Sequence, residues 1–255
     1  MPGDVDAFAT LLVRRAPLLR LLNDAPKTKP ELVAETDVSR STVDRAVRDM
    51  EGAGVVERRN GAVVLTLVGR LALDSYEAFH ADIASLADCR ALRDLDADAP
   101  IEVRALRECS VVAASPNTPH RCVREWIDRL RTADRVELYG TMVLPQVLDA
   151  LVDDVVDGSL DVEAYLVPPV IEALVSDFGE RAQRALDSDA VSIAEVEGGP
   201  SFDLAVFRGS DGSETVCIGF GTHGLEYLVL NETTEAVAWA HERLAAVRSD
   251  AEPIA

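Results

Sequence analysis

The spacing of apolar residues divides the chain into a helical first part and a mixed remainder. Val5 to Leu22 has helical spacing and predicts one amphipathic helix, with a kink or restart at Pro17. Thr28 to Thr66 predicts two short helices and a two-stranded hairpin, because Asn60-Gly61 separates two β-rich runs and is typical of a type I′ turn. Leu67 to Leu95 contains few helix breakers and predicts a long helix.

The two short helices carry recognisable start signals. Thr28 and Glu31 form a capping box for the first, Ser39 is placed to cap the second, and Val38 between them is predicted to be buried. One face of the second helix is apolar at helical spacing and consists of Val43, Ala46, Val47 and Met50. Its opposite face is polar and basic and consists of Arg40, Ser41, Thr42, Arg45 and Arg48.

This arrangement is typical of DNA-binding modules, in which the second helix enters the major groove and a basic hairpin contacts the DNA beside it. Ser41, Thr42 and Arg45 are predicted to reach base edges, where arginine recognises guanine. The other candidates for contact with double-stranded DNA lie at the helix starts, on the basic face and in the wing: Lys27, Thr28, Lys29, Ser39, Arg40, Arg48, Arg58, Arg59 and Asn60. The alternative is a helix pair and hairpin used only for packing, which leaves the basic face and basic wing unexplained.

Charge is distributed unevenly, which matters because a net charge of −20 would by itself argue against a nucleic-acid partner. Residues 1–73 carry 11 Lys and Arg against 10 Asp and Glu, whereas the remaining 182 residues carry 14 against 35. Positive character is therefore confined to the segment with the DNA-binding pattern. Only two of the cations are lysines and Asp is abundant, a composition similar to that of halophilic archaeal proteins, whose acidic surfaces stay hydrated in concentrated salt.

Beyond Pro100 the pattern alternates between strands and helices and ends in a run of strands. This predicts an α/β or α+β domain with a mixed sheet that includes antiparallel additions. Val103 to Leu106 and Ser110 to Ala114 are predicted as its first strands. Its last strands are predicted to form an antiparallel meander and span Leu204 to Phe207, Thr215 to Phe220 and Leu225 to Leu230.

A seam of apolar residues runs along the helix between these two parts. Its members recur at spacings of four and three, as in a short coiled coil, and are Ala72, Tyr76, Phe79, Ile83 and Leu86. The favoured interpretation is a homodimer formed through this helix, and the alternative is a helix packed against its own effector domain. The predicted organisation is a winged helix-turn-helix domain at 1–68, a connecting dimerisation helix and linker at 69–98, and an α/β effector domain at 99–255.

The first part, in which Ser39 to Val43 occupies the start of the recognition helix, resembles the winged helix-turn-helix domain of archaeal and bacterial regulators. With its α/β domain and closing helix at 235–244, the chain resembles the archaeal regulators typified by the methanogenesis regulatory protein FilR, and more distantly the TrmB-like sugar sensors. The resemblance implies a one-component transcription regulator, with an effector domain on the phospholipase-D scaffold that lacks its activity. The His-x-Lys-x4-Asp signature of that scaffold is absent, because no lysine follows Lys29.

Three loops at the ends of predicted strands are candidates for an effector site, since ligands of open α/β sheets bind there. The candidate residues are Ser115, Asn117, His120, Arg121, Gly140, Thr141, Thr222 and His223. The strand-to-helix junction at Gly140-Thr141 offers N–H groups and a hydroxyl to an anion. The expected ligand is a small metabolite of unidentified chemistry. In the alternative interpretation these glycines only satisfy tight turns, and the domain dimerises or contacts proteins without a ligand.

The sequence gives less support to an enzyme, a metal site or a redox sensor. P-loop, nucleophile-elbow and dinucleotide-binding motifs are absent, so we expect neither an enzyme nor a cofactor, and no clustered metal ligands occur. The four cysteines are dispersed and expected to be buried thiols, with a thiol redox sensor as the less favoured alternative. No run is long and apolar enough to span a membrane and no signal peptide is evident, so a cytoplasmic protein without a membrane partner is expected.

Overall fold

A computed structural model describes residues 4–254. These residues divide into two compact units, the first ending at Ile83 and the second beginning at Ala84. One hydrophobic core lies in the first unit, and two lie in the second, on opposite faces of its sheet.

The first unit is built from helices and one hairpin. Its elements in chain order are α1 (Val5–Asp24), α2 (Lys29–Ala34), α3 (Arg40–Gly52), β1 (Val56–Arg59), β2 (Ala62–Leu65) and α4 (Leu67–Asp88), whose last residues belong to the second unit. The predicted restart at Pro17 does not occur, because α1 continues through it as one helix. Ala16, Leu18 and Leu19 are buried around Pro17, so packing offsets the backbone hydrogen bond that proline cannot donate.

The apolar face predicted for α3 forms the centre of the first unit's core. Val43, Ala46, Val47 and Met50 are all fully buried, and Ser39 caps the helix by accepting a hydrogen bond from Thr42 N. The predicted capping box of Thr28 and Glu31 at the start of α2 is present as well. The prediction for Val38 is wrong: its side chain is 40% exposed. It lies in the turn between α2 and α3, outside a core that Leu32 and Val43 already fill.

The hairpin pairs β1 with β2 in antiparallel register, from Val56 opposite Leu65 to Arg59 opposite Ala62. Asn60 and Gly61 have φ values of 52° and 83°, and a type I′ turn requires positive φ at both positions, which confirms the predicted turn. Lys27 adds a short third segment, since it exchanges two backbone hydrogen bonds with Val63, at 3.1 and 2.8 Å. The wing is therefore tied to the chain that precedes α2.

The second unit is a mixed sheet flanked by helices on both faces. Its elements are β3 (Ser110–Ala113), α5 (Arg121–Leu130), β4 (Arg135–Gly140), α6 (Pro145–Val156), β5 (Asp161–Leu166), α7 (Pro168–Leu186), β6 (Val191–Glu195), β7 (Asp203–Arg208), β8 (Glu214–Phe220), β9 (Tyr227–Asn231), α8 (Thr234–Ser249) and β10 (Glu252–Pro253). The strand order is β10-β6-β5-β4-β7-β8-β9-β3. Strands β4, β5 and β6 are parallel, and β7, β8 and β9 form the predicted antiparallel meander. The predicted mixed-sheet fold is confirmed.

Two predicted elements near the start of this unit differ from the structure. Val103 to Leu106 is not a strand: Val103–Ala105 forms a single 3₁₀ turn, and Ala105 and Leu106 pack in the core beside α8. Asn231 Nδ2 donates hydrogen bonds to the carbonyls of Ala105 and Arg107, at 3.0 and 2.7 Å, in place of a strand partner. The long helix predicted to reach Leu95 ends at Asp88, and a 3₁₀ helix follows at Arg90–Asp94.

Successive side chains of each strand point to opposite faces of the sheet, so they pack into two cores. Helices α5, α6 and α7 cover one face, whereas α8 covers the other. Along β7, Ala205 and Phe207 face the α5–α7 side, and Asp203 at the start of the strand shares their side. On the other side Arg248 anchors α8, since it forms an ion pair with Glu137 and its Nε donates to the Tyr165 hydroxyl at 2.6 Å.

Candidate nucleic-acid interface and cavities of the second unit

The surface of α3 opposite its buried face carries a row of polar residues. Ser41, Arg45 and Arg48 follow one another at spacings of four and three, so they lie on one side of the helix, and all three are exposed. The Ser39 hydroxyl lies 2.9 Å from both the Ser41 and Thr42 hydroxyl oxygens, which gathers three hydroxyls at the N-terminus of α3. The predicted candidates of α3 are thus exposed together on one surface.

The arginines of this surface differ from the lysines near the start of α2 and the arginines of the wing, which all form ion pairs with carboxylates. Arg40, Arg45 and Arg48 form no ion pair with a carboxylate among the described residues. Arg48 makes a local contact only, its Nε donating to the Asp44 carbonyl at 3.3 Å. Three guanidinium groups therefore remain available on one exposed surface, which we call the α3 basic face.

The lysines and arginines predicted to contact DNA outside α3 form ion pairs with carboxylates. Lys27 pairs with Glu35 at 2.9 Å, and Arg58 pairs with Glu51 at 2.8 Å. Arg59 pairs with Glu57 within the wing. Each of these cations would have to exchange a protein carboxylate for a phosphate, which reduces the binding free energy that its contact with DNA contributes.

Lys29 has a structural role of its own. Its ammonium group forms an ion pair with Asp44, which joins the start of α2 to α3. The hydrogen bond from Lys29 lowers the pKa of Asp44, so this carboxylate stays charged over a wide pH range. The ion pair fixes the two helices of the motif relative to each other, and the sequence alone did not indicate it.

The predicted effector residues lie around two neighbouring spaces in the second unit, which share Leu144 as a lining residue. Ser115, His120 and His223 line one open cleft of about 620 Å³. The three remaining loop candidates are exposed side chains that do not line this cleft: Asn117, Arg121 and Thr222. Two polar groups of these loops contact each other, since the Ser115 and Thr118 hydroxyl oxygens are 2.7 Å apart. The His223 side chain is 86% exposed to solvent.

Gly140 and Thr141 belong to a different site, a cavity of about 130 Å³ between the sheet and helices α6 and α7. Gly140 lines this cavity, and Thr141 binds Asp203 at its edge: Thr141 N and Oγ1 donate to Asp203 Oδ1 at 2.6 and 2.7 Å. Among the described residues that line the cavity, Asp203 is the one with a charged side chain. We call this space the Asp203 cavity.

Asp203 is a functional candidate that the sequence analysis missed. Its side chain is only 6% exposed, and burial raises its pKa to about 6 although the hydrogen bonds from Thr141 act in the opposite direction. Both of those hydrogen bonds reach Oδ1, and no described residue donates one to Oδ2. The available signal was a single Asp directly before the apolar run Leu204 to Phe207.

Two of the four cysteines come together in the structure. The sulfur atoms of Cys89 and Cys109 are 3.3 Å apart, although the residues are 20 positions apart in the sequence. Cys122 and Cys217 are buried, and burial raises the pKa of each thiol, which makes a reactive thiolate unfavourable. Cys89 is buried as well, whereas Cys109 is partly exposed and adjacent to it, so a disulfide within the chain would join these two residues.

The residues from 4 to 254 contain no group of three or more His, Cys, Asp and Glu side chains arranged to hold a metal ion. In the same residues no helix has both the length and the apolar character needed to cross a membrane.

Comparison with known proteins gives two distant structural likenesses. No curated protein matches the chain. The structure of TrmBL2, described as an archaeal chromatin protein with a novel mode of DNA binding, aligns with a TM-score of 0.44 and 13% identity over 98% of this chain and 99% of that one. Nuc, a phospholipase D family member from Salmonella typhimurium, aligns with a TM-score of 0.43 and 15% identity over 57% of this chain and 98% of that one.

Models of protein families give more specific matches. Residues 4–88 match the HVO_A0261 N-terminal domain. Residues 119–250, more than half of the chain, match the middle domain of the methanogenesis regulatory protein FilR1, which confirms the resemblance to the FilR regulators. The chain therefore belongs to the FilR1 middle-domain family of transcription regulators.

Proposed function

We propose that this protein is a one-component regulator that binds double-stranded DNA as a homodimer, and that its second unit controls this binding. The observation that carries the proposal is the α3 basic face. The chain has 45 Asp and Glu against 25 Lys and Arg, so carboxylate partners are abundant. Arginines that nevertheless stay unpaired on one exposed helix face are suited to bind phosphates and base edges.

The positions of the side chains on α3 indicate which of them contact bases and which contact phosphates. Ser41 and Arg45 lie opposite the buried face and point toward the floor of a major groove when α3 enters it. Arg45 recognises guanine through two parallel hydrogen bonds, and Thr42 contacts a base edge beside it. Arg48 follows in the same row toward the end of α3 and Arg40 lies at the start of the helix, and both bind phosphates. The wing, with Arg58, Arg59 and Asn60, contacts the flanking backbone after its ion pairs with carboxylates exchange.

Replacement of Arg45 by alanine tests the recognition helix. We expect Arg45→Ala to weaken binding to the preferred site about 10- to 100-fold and to reduce discrimination against unrelated DNA, because a bidentate arginine–guanine contact discriminates by about 1–3 kcal/mol. The preferred site is first selected from a pool of random duplexes with the wild-type protein. Affinities are then measured by fluorescence anisotropy.

Two further variants sharpen this test. Arg124→Ala removes an exposed arginine from α5 of the second unit and should leave DNA affinity unchanged. Arg48→Ala should weaken binding to all sequences alike and lower the slope of log affinity against log salt by about 1, as expected for one lost phosphate contact. If Arg45→Ala retained full affinity and specificity, α3 would not be the recognition helix.

The homodimer is proposed from the seam along α4, within the predicted connecting region 69–98. Ala72 and Tyr76 pack into the core of the first unit. The rest of the seam is exposed, with Phe79 at 60%, Ile83 at 50% and Leu86 at 43%. Three large apolar side chains on one helical stripe are suited to pack against the same stripe of a second copy, as in a two-stranded coiled coil.

A charge placed in the exposed seam should separate the subunits. We expect the wild-type protein to be a dimer by light scattering, and Ile83→Glu to shift it to a monomer at micromolar concentration, because the glutamate would be buried without a partner. The matched control is Val175→Glu, another exposed aliphatic position on a helix, which should remain dimeric. A dimeric Ile83→Glu protein or a monomeric wild type would contradict a dimer through α4.

Control of DNA binding by the second unit has two chemical candidates. In the first, a small molecule binds this unit and shifts DNA affinity by its differential binding to two states of the protein. In the second, a peroxide oxidises the neighbouring thiols of Cys89, directly after α4, and Cys109 to a disulfide and is itself reduced to water or an alcohol. Counting reactive thiols of the folded protein before and after mild peroxide treatment distinguishes the two. A second unit that responds to neither would serve dimerisation or protein contact.

A further inference from the structure

We infer that the Asp203 cavity binds a small organic amine, with the apolar body of the ligand inside the cavity and its ammonium group on the free oxygen of Asp203. This inference names a ligand class for the second unit, and it rests on the proposed function only where it connects that ligand to DNA binding.

The walls of the cavity are apolar on every side. They are formed by the parallel strands β4 to β6 and by helices α6 and α7, for example by Leu138, Leu148, Leu151, Leu166, Leu174 and Ile193. The volume of about 130 Å³ is close to that of an engineered apolar protein cavity of about 150 Å³ that takes up benzene. A body of about the size of one six-membered ring therefore fits this space.

Asp203 decides which polar group the ligand carries. Its carboxyl is buried, and the groups that act on its protonation are the surrounding apolar atoms and Thr141, with no cation among them. Oδ1 is used by the two Thr141 hydrogen bonds, whereas no described residue donates a hydrogen bond to Oδ2. An ammonium group at Oδ2 would supply both the missing donor and the missing positive charge.

The same features exclude other classes of ligand. A sugar or sugar phosphate has many hydroxyls, and the apolar walls would leave most of them without hydrogen-bond partners. An organic acid would place a second negative charge beside Asp203. The anion site expected from the sequence at Gly140-Thr141 is therefore replaced: the Thr141 N–H and hydroxyl that would hold an anion already bind the carboxylate of Asp203.

The place of the cavity in the fold also suits a ligand site. It extends along the parallel strands to their carboxyl ends, where Gly140 ends β4, and ligands of open α/β sheets bind at such edges. One wall is α7, whose helical geometry is interrupted at Phe178, with φ −129° and ψ 16°. Residues on both sides of this interruption line the cavity, including Leu174 and Ala182. Ligand binding thus acts on both segments of an interrupted helix.

Calorimetric titration of the full chain with benzylamine, cyclohexylamine and n-butylamine tests the site. The titrations are run at about pH 8, where Asp203 is ionised and a primary amine is protonated. We expect at least one amine to bind, and the matching alcohol and carboxylate, such as benzyl alcohol and benzoate, to bind about 10- to 100-fold more weakly or not at all. If none of the three amines bound, or if the alcohol or the carboxylate bound equally well, the inference would be overturned.

Asp203→Asn keeps the shape of the side chain and an oxygen that accepts from Thr141, but it removes the charge. We expect it to lose the preference for the amine, about 10- to 100-fold. The control Asp157→Asn removes an exposed carboxylate after α6 and should bind the amine like the wild type. Asp203→Asn that bound the amine with unchanged affinity would also overturn the inference.

DNA affinity measured with and without the bound amine separates this inference from the proposed function. A change in affinity for the selected DNA site would support an effector role for the cavity. Tight amine binding with unchanged DNA affinity would leave the site in place and overturn its link to DNA binding. A protein that binds amine but no DNA would overturn the proposed function alone.

Discussion

Replacement of Gly69 by alanine should unfold the first unit, or destabilise it by about 3 kcal/mol or more. Gly69 is buried near the start of α4, and an added Cβ would lie 1.9 Å from the carbonyl oxygen of Val55. That oxygen accepts a hydrogen bond from Thr66 N at 3.1 Å, and Thr66 Oγ1 in turn accepts one from Gly69 N at 3.0 Å. Both segments are thus fixed, and the clash involves backbone atoms that cannot rotate away.

Circular dichroism during urea denaturation measures this loss, and binding to the selected DNA site should disappear with it. The matched control is Gly52→Ala at the end of α3, where no atom lies within 4 Å of the added Cβ. This control should be neutral or more stable by up to about 1 kcal/mol, because alanine favours the helix over glycine. A Gly69→Ala protein that unfolded at the wild-type urea concentration would show that α4 does not approach Val55 closely.

The features that the sequence predicted correctly depend on neighbouring residues. The capping box joins Thr28 to Glu31, three positions apart, and the type I′ turn depends on the adjacent Asn60 and Gly61. Such signals act in the chain before any long-range contact forms, so rules of local geometry are sufficient to read them. The apolar face of α3 was equally accessible, because helical periodicity determines which residues are buried together.

The features that the sequence did not reveal depend on residues far apart in the chain. Thr141 and Asp203 are 62 positions apart, and only the sheet order, in which β7 lies beside β4, brings them together. The ion pair of Lys29 with Asp44 likewise depends on how two helices pack. Val103 to Leu106 was assigned to a strand from its composition, whereas its packing beside α8 decides its conformation. The sequence of so short a segment is consistent with either a strand or a helical turn.

The loops predicted to form an effector site illustrate both what the sequence reveals and what it does not. The rule that ligands bind at the ends of parallel strands pointed to Gly140, which lines a cavity in the structure. It also combined that loop with the loops of His120 and His223, which line a different cleft. The sequence pattern places loops at one edge of a sheet in one site, whereas the strand order puts β7 between the ends of β4 and β8.

Asp203→Asn should make the ligand-free protein more stable at neutral pH, by up to roughly 3 kcal/mol. The pKa of Asp203 is about 6 in the folded chain, and an aspartate in the unfolded chain has a pKa of about 3.9. The folded state therefore binds this proton more tightly, so the free energy of unfolding falls as the pH rises through this range and stays low above about pH 6. A difference of about two pKa units corresponds to roughly 3 kcal/mol, and asparagine, which does not ionise, avoids this loss.

Urea denaturation of both proteins at several values between about pH 4.5 and pH 8 tests this, because groups other than Asp203 contribute alike and cancel in the difference. The advantage of Asp203→Asn should be largest near pH 8 and decrease toward pH 4.5, where the wild-type carboxyl is mostly protonated in the folded state. An equal or lower stability of Asp203→Asn at pH 8 would mean that the charge is already compensated in the folded protein. The expected result, combined with loss of amine binding, would identify Asp203 as a group that destabilises the free protein and is retained for recognition, as functional sites often require.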